Sequence, residues 1–469
     1  MRVPAHHLPG LSEIAARTEA TADGTVQIEH ATLLPDLLAR VLDAITAARG
    51  AHLARRPVGD IITTISRLAS EWQREDFHWR ALAAQALPAV TGLSPAMVRE
   101  VLPRLFSSLA APALRRFVDA EMMVGGRALD TVVATPAGER LAVGPDLLAH
   151  IGAGNVPGLG IPALVAGLLA KSAVVIKTPR GEPILAALVA RSLAERDPDL
   201  GACVAVAHWP GGTAALDEVI LSRAEVVTVE GDDETVASVR ARARGRVLGF
   251  GRRLSLAVVT REALQDSVAV AADAARAVSL YDQQGCLSPQ VVYVEGERIE
   301  ASAAFAETLA AALLELDASL PRGALTAAEQ AAVRELRADA EWRAIGGEDV
   351  RVFGVPAGGG ATVIYERDPR FAPTQGNRTV RVKPLERIDR LPEHLGAWAR
   401  HVEAVGVAGP PERMREIALA LAHTSTVSRV CPLAGMQDPP LDWRRGGVGR
   451  LASLLRWVDV ETGGTGAAP

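Results

Sequence analysis

Cys286 is the residue in this sequence best placed for covalent chemistry. It follows a glycine in YDQQGCLSPQ, Tyr281 to Gln290, a polar stretch between a helical run and an apolar one. A thiol in such a loop is open to substrate, and its thiolate can attack a carbonyl. Cys203 in ACVAVAH sits inside an apolar element instead, as inert structural cysteines do. A second segment, HIGAGNVPGLGIP from His150 to Pro162, runs from a strand end into a helix. Its Gly152, Gly154 and Gly158 miss the G-x-G-x-x-G spacing of a dinucleotide fingerprint. The amide of Asn155 at this turn can donate to a developing oxyanion, or the residue simply shapes the turn or caps the helix. In a third segment, AVVIKTPRGEP from Ala173 to Pro183, an apolar strand ends in Lys177. Open α/β sheets bind ligands at the carboxyl ends of their strands, although a solvated edge lysine would read the same. Only three of the 50 basic residues are lysines, Lys171, Lys177 and Lys383, and that economy favours a function for Lys177.

These residues need a frame. From about Pro35 to Phe117 apolar residues recur with a helical period, as Leu37, Leu38, Val41, Leu42 and Ile45 do. Short β-rich runs between Thr131 and Val143 flank the turn-rich Thr135-Pro-Ala-Gly-Glu139 and suit a hairpin. Strand and helix patterns then alternate from Leu147 to Ala243, which implies a parallel sheet with helices on both faces. A second α/β series starts near Ser255, with a helix over 267–279, a strand over 291–295 and an alanine-rich helix over 299–316. Gly358-Gly-Gly360 and Gly409-Pro-Pro411 mark loops, and the tail from Glu461 reads as disordered.

A chain of 469 residues, 49% hydrophobic, buries more than one core. Its net charge of -5 and scattered basic residues offer no surface for nucleic acid. The first twenty residues lack a signal-peptide pattern, and the most apolar window is broken by Pro162, Gly167 and Lys171, so a cytoplasmic protein with no membrane span is expected. Three distant cysteines form neither a disulfide framework nor a metal site. The absence of H-E-x-x-H, G-x-S-x-G and Walker sequences argues against a zinc enzyme, a serine hydrolase and a P-loop ATPase.

The three segments, in this order, resemble the aldehyde dehydrogenase superfamily and, in detail, its acyl-CoA reductase branch, the family of the bioluminescence fatty-acid reductase. GAGNVPG is similar to that family's asparagine turn, VVIKTP to its cofactor-ribose lysine strand, DQQGCLSPQ to its cysteine loop, and RVCPLAGMQDPPLDW, Arg429 to Trp443, to its carboxyl-terminal signature. The resemblance spans roughly 136–458. It implies a Rossmann-type cofactor domain over 1–260, with a helical region over 1–125 and an oligomerisation hairpin near 131–143. A catalytic α/β domain follows over 261–435, then a carboxyl-terminal segment over 436–469.

By the same resemblance, Cys286 attacks an acyl-CoA or acyl-carrier thioester while Asn155 and the Cys286 backbone N–H hold the oxyanion. The S-acyl enzyme is then reduced to the aldehyde. Lys177, Thr178, Arg180, Gly211, Gly231 and Gly251 are implied to contact the nicotinamide cofactor. Arg180 stands where NAD-preferring members carry a glutamate, which points to NADPH, because a guanidinium can grip a 2'-phosphate. Gly249, in VLGFGRR, stands where hydrolysing dehydrogenases carry the glutamate that activates water, so reduction is favoured over hydrolysis. Two matches are less comfortable. Glu230, Asp232 and Asp233 bring negative charge to the expected pyrophosphate turn, and the family's nicotinamide-ribose glutamate has no counterpart near Gln375-Gly-Asn377. A dimer or tetramer is implied, as is an acyl-transfer partner protein. The alternatives are a hydrolytic or CoA-acylating aldehyde dehydrogenase and a non-catalytic scaffold for acyl-transfer partners.

Overall fold

Runs such as AVVIKT and VAVAH are buried along their whole length, which only a sheet covered on both faces tolerates. The computed structural model describes residues 1–11, 14–122, 124–135, 138–296, 299–354 and 360–461. Pro136 and Ala137 of the hairpin turn, Gly358 and Gly359 of the glycine-rich loop, and the tail from Thr462 lie outside the described residues.

Residues ahead of Pro35 differ from the helical expectation for 1–125. Strands β1 (Arg2–Pro4), β2 (Ala16–Ala20) and β3 (Gln27–Ala31) form a three-stranded sheet in the order β1-β3-β2. The turn at Asp23-Gly24, with Gly24 at φ 71°, supplies the reversal. Helices then follow as expected: α1 (Pro35–Ala48), α2 (Val58–Trp72), α3 (His78–Thr91), α4 (Pro95–Ser107) and α5 (Ala111–Glu121).

Next come β4 (Val133–Thr135) and β5 (Gly138–Val143), and then the first α/β unit. It comprises β6 (Leu147–Ile151), α6 (Gly160–Leu169), β7 (Ala173–Thr178), α7 (Leu185–Arg196), the single turn α8 (Pro198–Gly201), β8 (Val204–His208), α9 (Ala214–Arg223), β9 (Val226–Glu230), α10 (Asp233–Arg242) and β10 (Arg246–Phe250). Its five strands run parallel in the order β10-β9-β6-β7-β8. Side chains alternate across each strand. Leu148, Val174 and Ile176 pack with α6 and α7 on one face, while Ala149, Val175, Val227 and Val229 pack with α1, α9 and α10 on the other.

The second unit contains β11 (Leu254–Val259), α11 (Ser267–Ser279), β12 (Pro289–Glu295), α12 (Glu300–Ser319), α13 (Ala327–Ile345), β13 (Val350–Gly354), β14 (Thr362–Glu366), β15 (Thr379–Leu385), α14 (Leu391–Leu395), β16 (Val402–Ala408), α15 (Pro411–Leu421) and β17 (Arg429–Pro432). Its seven strands are ordered β13-β14-β15-β12-β11-β16-β17, with β13 antiparallel to β14. The chain then returns to the first unit. β18 (Arg456–Val460) pairs antiparallel with β5, from Arg456 opposite Val143 to Val460 opposite Glu139. The expected two-strand hairpin is therefore a three-stranded sheet completed by the chain's own later segment, which removes the marginal stability of an isolated hairpin.

Candidate active site

At the carboxyl ends of β6 and β9 the strand order switches direction, the place where open parallel sheets leave a crevice for ligands. The turn after β6 is tied down by a buried carboxylate. Glu182 accepts from the backbone N–H of Gly158 at 3.2 Å, Ile184 at 3.0 Å and Leu185 at 2.7 Å, which links the asparagine turn to the start of α7. A Cβ on Gly181 would come within 2.7 Å of the Gly154 oxygen, so the loop after β7 packs directly on that turn.

The cysteine loop enters the same crevice after α11 in an unusual way. Tyr281, Asp282 and Gln283 hold φ of 56°, 50° and 63°, a left-handed run of three residues that all carry a Cβ. Such a conformation costs about 1–3 kcal/mol per residue and persists because its side chains are held. The Arg378 guanidinium reaches Asp282 at 2.7 Å, Gly323 N–H donates to Asp282 at 2.9 Å, and Gln283 bonds both Thr379 N at 2.6 Å and the Pro289 carbonyl at 2.9 Å. Beyond this run the Asn155 amide donates to the Gln284 carbonyl at 2.7 Å, and Ser255 Oγ donates to the Cys286 carbonyl at 2.6 Å. The two segments singled out in the sequence meet here.

Cys286 and Asn155 line one cavity of about 1060 Å³, together with Gly231, Gly251 and the Gln437–Trp443 stretch. Burial pushes the Cys286 thiol above its ordinary pKa, and the Arg445 guanidinium opposes that shift. Arg445 is held at 2.5 Å from Glu230 and stacks over the Phe250 ring at 4.9 Å. Burial raises the Glu230 carboxyl most, but the Arg445, His150 and Arg450 charges and the Arg445 hydrogen bond together leave it below the usual carboxylate range. His150 bonds Thr228 Oγ1 at 2.8 Å through Nδ1, while its Nε2 has no hydrogen-bond partner among the described residues; burial lowers its pKa. Replacing Arg445 with Met removes the cation that favours the thiolate and leaves Glu230 unpaired beside it. Both effects act in one direction, so the pH midpoint for iodoacetamide labelling of Cys286 should rise by about one unit; a fall would contradict this electrostatic arrangement.

Position 249 departs from its expected geometry. A Cβ on Gly249 would lie 2.4 Å from Val236 Cγ1, on the α10 side of the sheet, while Leu248 and Phe250 line the cavity. Of the carboxylates that line the cavity, Glu230 lies one strand over from Gly249, and its ion pair with Arg445 makes it a weak base. Sequence reasoning missed His150, Arg445 and Arg450 as lining residues. His150 carried a signal, being a titratable side chain in an otherwise apolar strand.

Lys177, Thr178, Arg180 and Gly211 do not line this cavity. Lys177 points to the α9 side, where it binds Asp217 at 2.7 Å and sits over the Trp209 ring at 5.1 Å. Lys171 pairs with Asp130 at 2.7 Å and Lys383 with Glu366 at 2.6 Å. All three lysines are thus buried and held in ion pairs, and their scarcity does not single out Lys177. Among the described residues no His, Cys, Asp or Glu group could hold a metal ion, and no helix is long and apolar enough to cross a membrane.

Residues 53–457 match the family model described as acyl-CoA reductase (LuxC). The chain belongs to the LuxC acyl-CoA reductase family. Similar relatives include long-chain acyl-protein thioester reductase 2 of Photobacterium leiognathi, 30% identical over 39% of this chain and 38% of that protein. The long-chain acyl-protein thioester reductase of Photobacterium phosphoreum is 27% identical over 58% of this chain and 56% of its own length. The chain thus spans about half the length, or less, of these relatives. The fold of this LuxC-family chain is that of the aldehyde dehydrogenases. Aldehyde dehydrogenase 21 of Physcomitrella patens superposes with a TM-score of 0.72 at 14% identity, covering 97% of this chain and 96% of that one. A benzaldehyde dehydrogenase of Corynebacterium glutamicum superposes at 0.71 and 15%, covering 97% and 98%.

A nicotinamide cofactor fits the α9 side of the sheet in part. Arg180 is exposed and has no ion pair among the described residues, and a Cβ on Gly211 or Gly212 would meet nothing within 4 Å. The start of α10 is less accommodating to a phosphate. Asp232 caps it by accepting from Thr235 N at 2.7 Å, and Asp233 accepts from Arg252 N at 3.1 Å, so the donors an anion would use are shared with carboxylates.

Proposed function

We propose that this protein reduces an acyl thioester to the aldehyde through an S-acyl intermediate on Cys286, with NADPH as the hydride source. The observation that carries this reading is the 2.7 Å bond from the Asn155 amide to the Gln284 carbonyl, which brings an amide donor to the nucleophile's own loop. The thiolate of Cys286 adds to the thioester carbonyl, and the oxygen gains negative charge beside the Asn155 amide and the Cys286 N–H. Collapse expels the donor thiolate, which takes up a proton, and leaves the acyl group on sulfur. A bound nicotinamide supplies a hydride to the acyl carbon. The Cys286 sulfur then departs as the oxygen re-forms a carbonyl, and one proton from solvent restores the thiol. Glu230 is engaged by Arg445 and no carboxylate from position 249 reaches the cavity, which favours hydride over water as the second reactant.

Lys177, Thr178, Arg180, Gly211, Gly231 and Gly251 are proposed to contact the cofactor, with Arg180 on the 2'-phosphate. A charge-assisted hydrogen bond is worth about 1.5–3 kcal/mol, so Arg180→Glu should lower the NADPH over NADH ratio of kcat/KM by roughly tenfold or more. An unchanged ratio would remove Arg180 from this role.

The donor is coenzyme A or an acylated protein; the relatives' names favour the latter. Three free thiols suit a reducing compartment. Incubation with palmitoyl-CoA or a palmitoylated carrier protein should add one acyl group to Cys286 by mass spectrometry, and NADPH should discharge it as aldehyde. Oxidation of aldehydes to free acids without any thiol acceptor would sink the reductase reading, and no adduct with either donor would favour a scaffold.

A further inference from the structure

We propose that Glu182 is a positioning residue for the oxyanion donor: its ionised carboxylate holds the turn that carries Asn155, so the charge state of one buried group sets how well a thioester carbonyl is activated. This rests on the proposed attack of Cys286 beside the Asn155 amide. Glu182 does not line the Cys286 cavity. It acts from behind the turn.

Asn155 lies in the connection between β6 and α6, and the chain that follows β7 holds this connection at three points. Gly152 N–H donates to the Lys177 carbonyl at 3.1 Å. A Cβ on Gly154 would come within 3.0 Å of Pro179 Cβ and 3.2 Å of Gly181 N, so the two loops touch there. Gly158 N–H donates to Glu182 Oε2 at 3.2 Å. Asn155 sits between the last two points. The first two follow from the backbone path, and the third depends on one side chain. Gly158 has φ 81°, and a Cβ there would come within 2.4 Å of Leu105 Cδ2, so this end of the turn lies close against α4.

The other oxygen of Glu182 accepts from Ile184 N–H at 3.0 Å and Leu185 N–H at 2.7 Å, the groups that open α7. Three donors thus converge on two oxygens, and only a carboxylate accepts from all three without presenting a donor of its own. Glu182 is buried; burial pushes its carboxyl up to about 7, and the three N–H bonds oppose that shift. Leu105 of α4 and Leu185 of α7 close around Gly158, and among the described residues no charged side chain bears on the ionisation of Glu182. Protonation, or an amide in its place, sets a donor against one of the three N–H groups. The oxygen facing α7 serves two bonds and the other serves one. The misplaced donor therefore falls on the Gly158 side, and the Asn155 turn is the part released.

The test compares two reactions of Cys286 in the full chain, acylation by palmitoyl-CoA and alkylation by iodoacetamide, both followed by intact mass. Both consume the thiolate, so their ratio cancels its ionisation, and only acylation builds an oxyanion. Glu182→Gln should lower the acylation-to-alkylation ratio by about tenfold or more, within the loss that a small displacement of a catalytic group produces. In wild type the ratio should fall by a similar factor as pH drops from about 8.5 to about 5.5, and in Glu182→Gln it should be flat. On an Asn155→Ala background Glu182→Gln should cost less than about twofold, because the group it positions is gone. Thermal melts show whether Glu182→Gln folds; if it does not, the wild-type pH profile and its loss in Asn155→Ala carry the test. An unchanged ratio in folded Glu182→Gln, whether both rates hold or fall together, would overturn the proposal and leave Glu182 a helix cap. A flat wild-type ratio, or the full loss repeated on top of Asn155→Ala, would overturn it as well. In each of these cases Asn155 keeps its role. If Asn155→Ala itself left the ratio unchanged, the oxyanion reading would fall and take this positioning with it.

Discussion

Cys286→Ala is expected to leave a folded protein that accepts no acyl group from any thioester and forms aldehyde at least about 10⁴-fold more slowly, the scale seen when a nucleophile is removed. Folding should survive because Cys286 only borders the core of the second unit, and its loop is held by backbone and neighbouring side chains that the substitution keeps. Cys203 and Cys431 are the internal controls. Both are buried, and burial pushes the Cys203 thiol up to about 12, so it carries almost no thiolate at neutral pH. Cys203→Ala and Cys431→Ala should therefore retain the acyl adduct and the aldehyde product. Because burial also raises the Cys286 thiol, the acylation rate should climb as pH rises towards its ionisation and then level off. Finding the acyl group on Cys203 or Cys431 would refute the assignment.

Asn155→Ala should lower the rate of acylation by about 10²–10³-fold, the usual loss for an oxyanion donor. The residue has a second duty, because one of its amide hydrogens already holds the Gln284 carbonyl at 2.7 Å. The two duties can be separated. Iodoacetamide attacks the same sulfur without building an oxyanion, so alkylation of Cys286 reports loop position alone. If Asn155 stabilises the oxyanion, the variant loses acylation far more than alkylation. Equal losses in both would reduce Asn155 to a tether. Asn155→Asp adds a check, since a carboxylate cannot donate to either oxygen and would repel the Gln284 carbonyl.

Much of this frame was legible because it is local. The strands Leu147–Ile151 and Ala173–Thr178 announce themselves by apolar runs broken only by His150 and by the closing Lys177 and Thr178, and α6 by the helix-length stretch between them. The meeting of Asn155 with the cysteine loop was implied by the family resemblance and not by either segment alone. Contacts between distant strands were not legible. The side of the sheet faced by Gly249 depends on the β9–β10 register, which no single strand reveals. Asp217 reaches Lys177 from forty positions away, and Arg445 comes from beyond the second unit to pair with Glu230. The amino-terminal sheet escaped notice because β2 is mostly exposed and carries little apolar signal beside its Asp23-Gly24 turn.

The pairing of β18 with β5 has a bearing on how the molecule is made. Arg140 and Asp459, which bond across that pair, are 319 positions apart. During synthesis the hairpin leaves the ribosome long before its third strand, and its edge must wait unpaired while the second unit is translated and collapses. The same late segment carries Arg445 and Leu454 into the cavity. A nascent chain lacking it holds the cysteine and asparagine without the enclosure around them, so competence should arrive only as β18 docks. Stalled translation products, rather than full-length chains, are then the species most exposed to chaperone capture and edge-to-edge association.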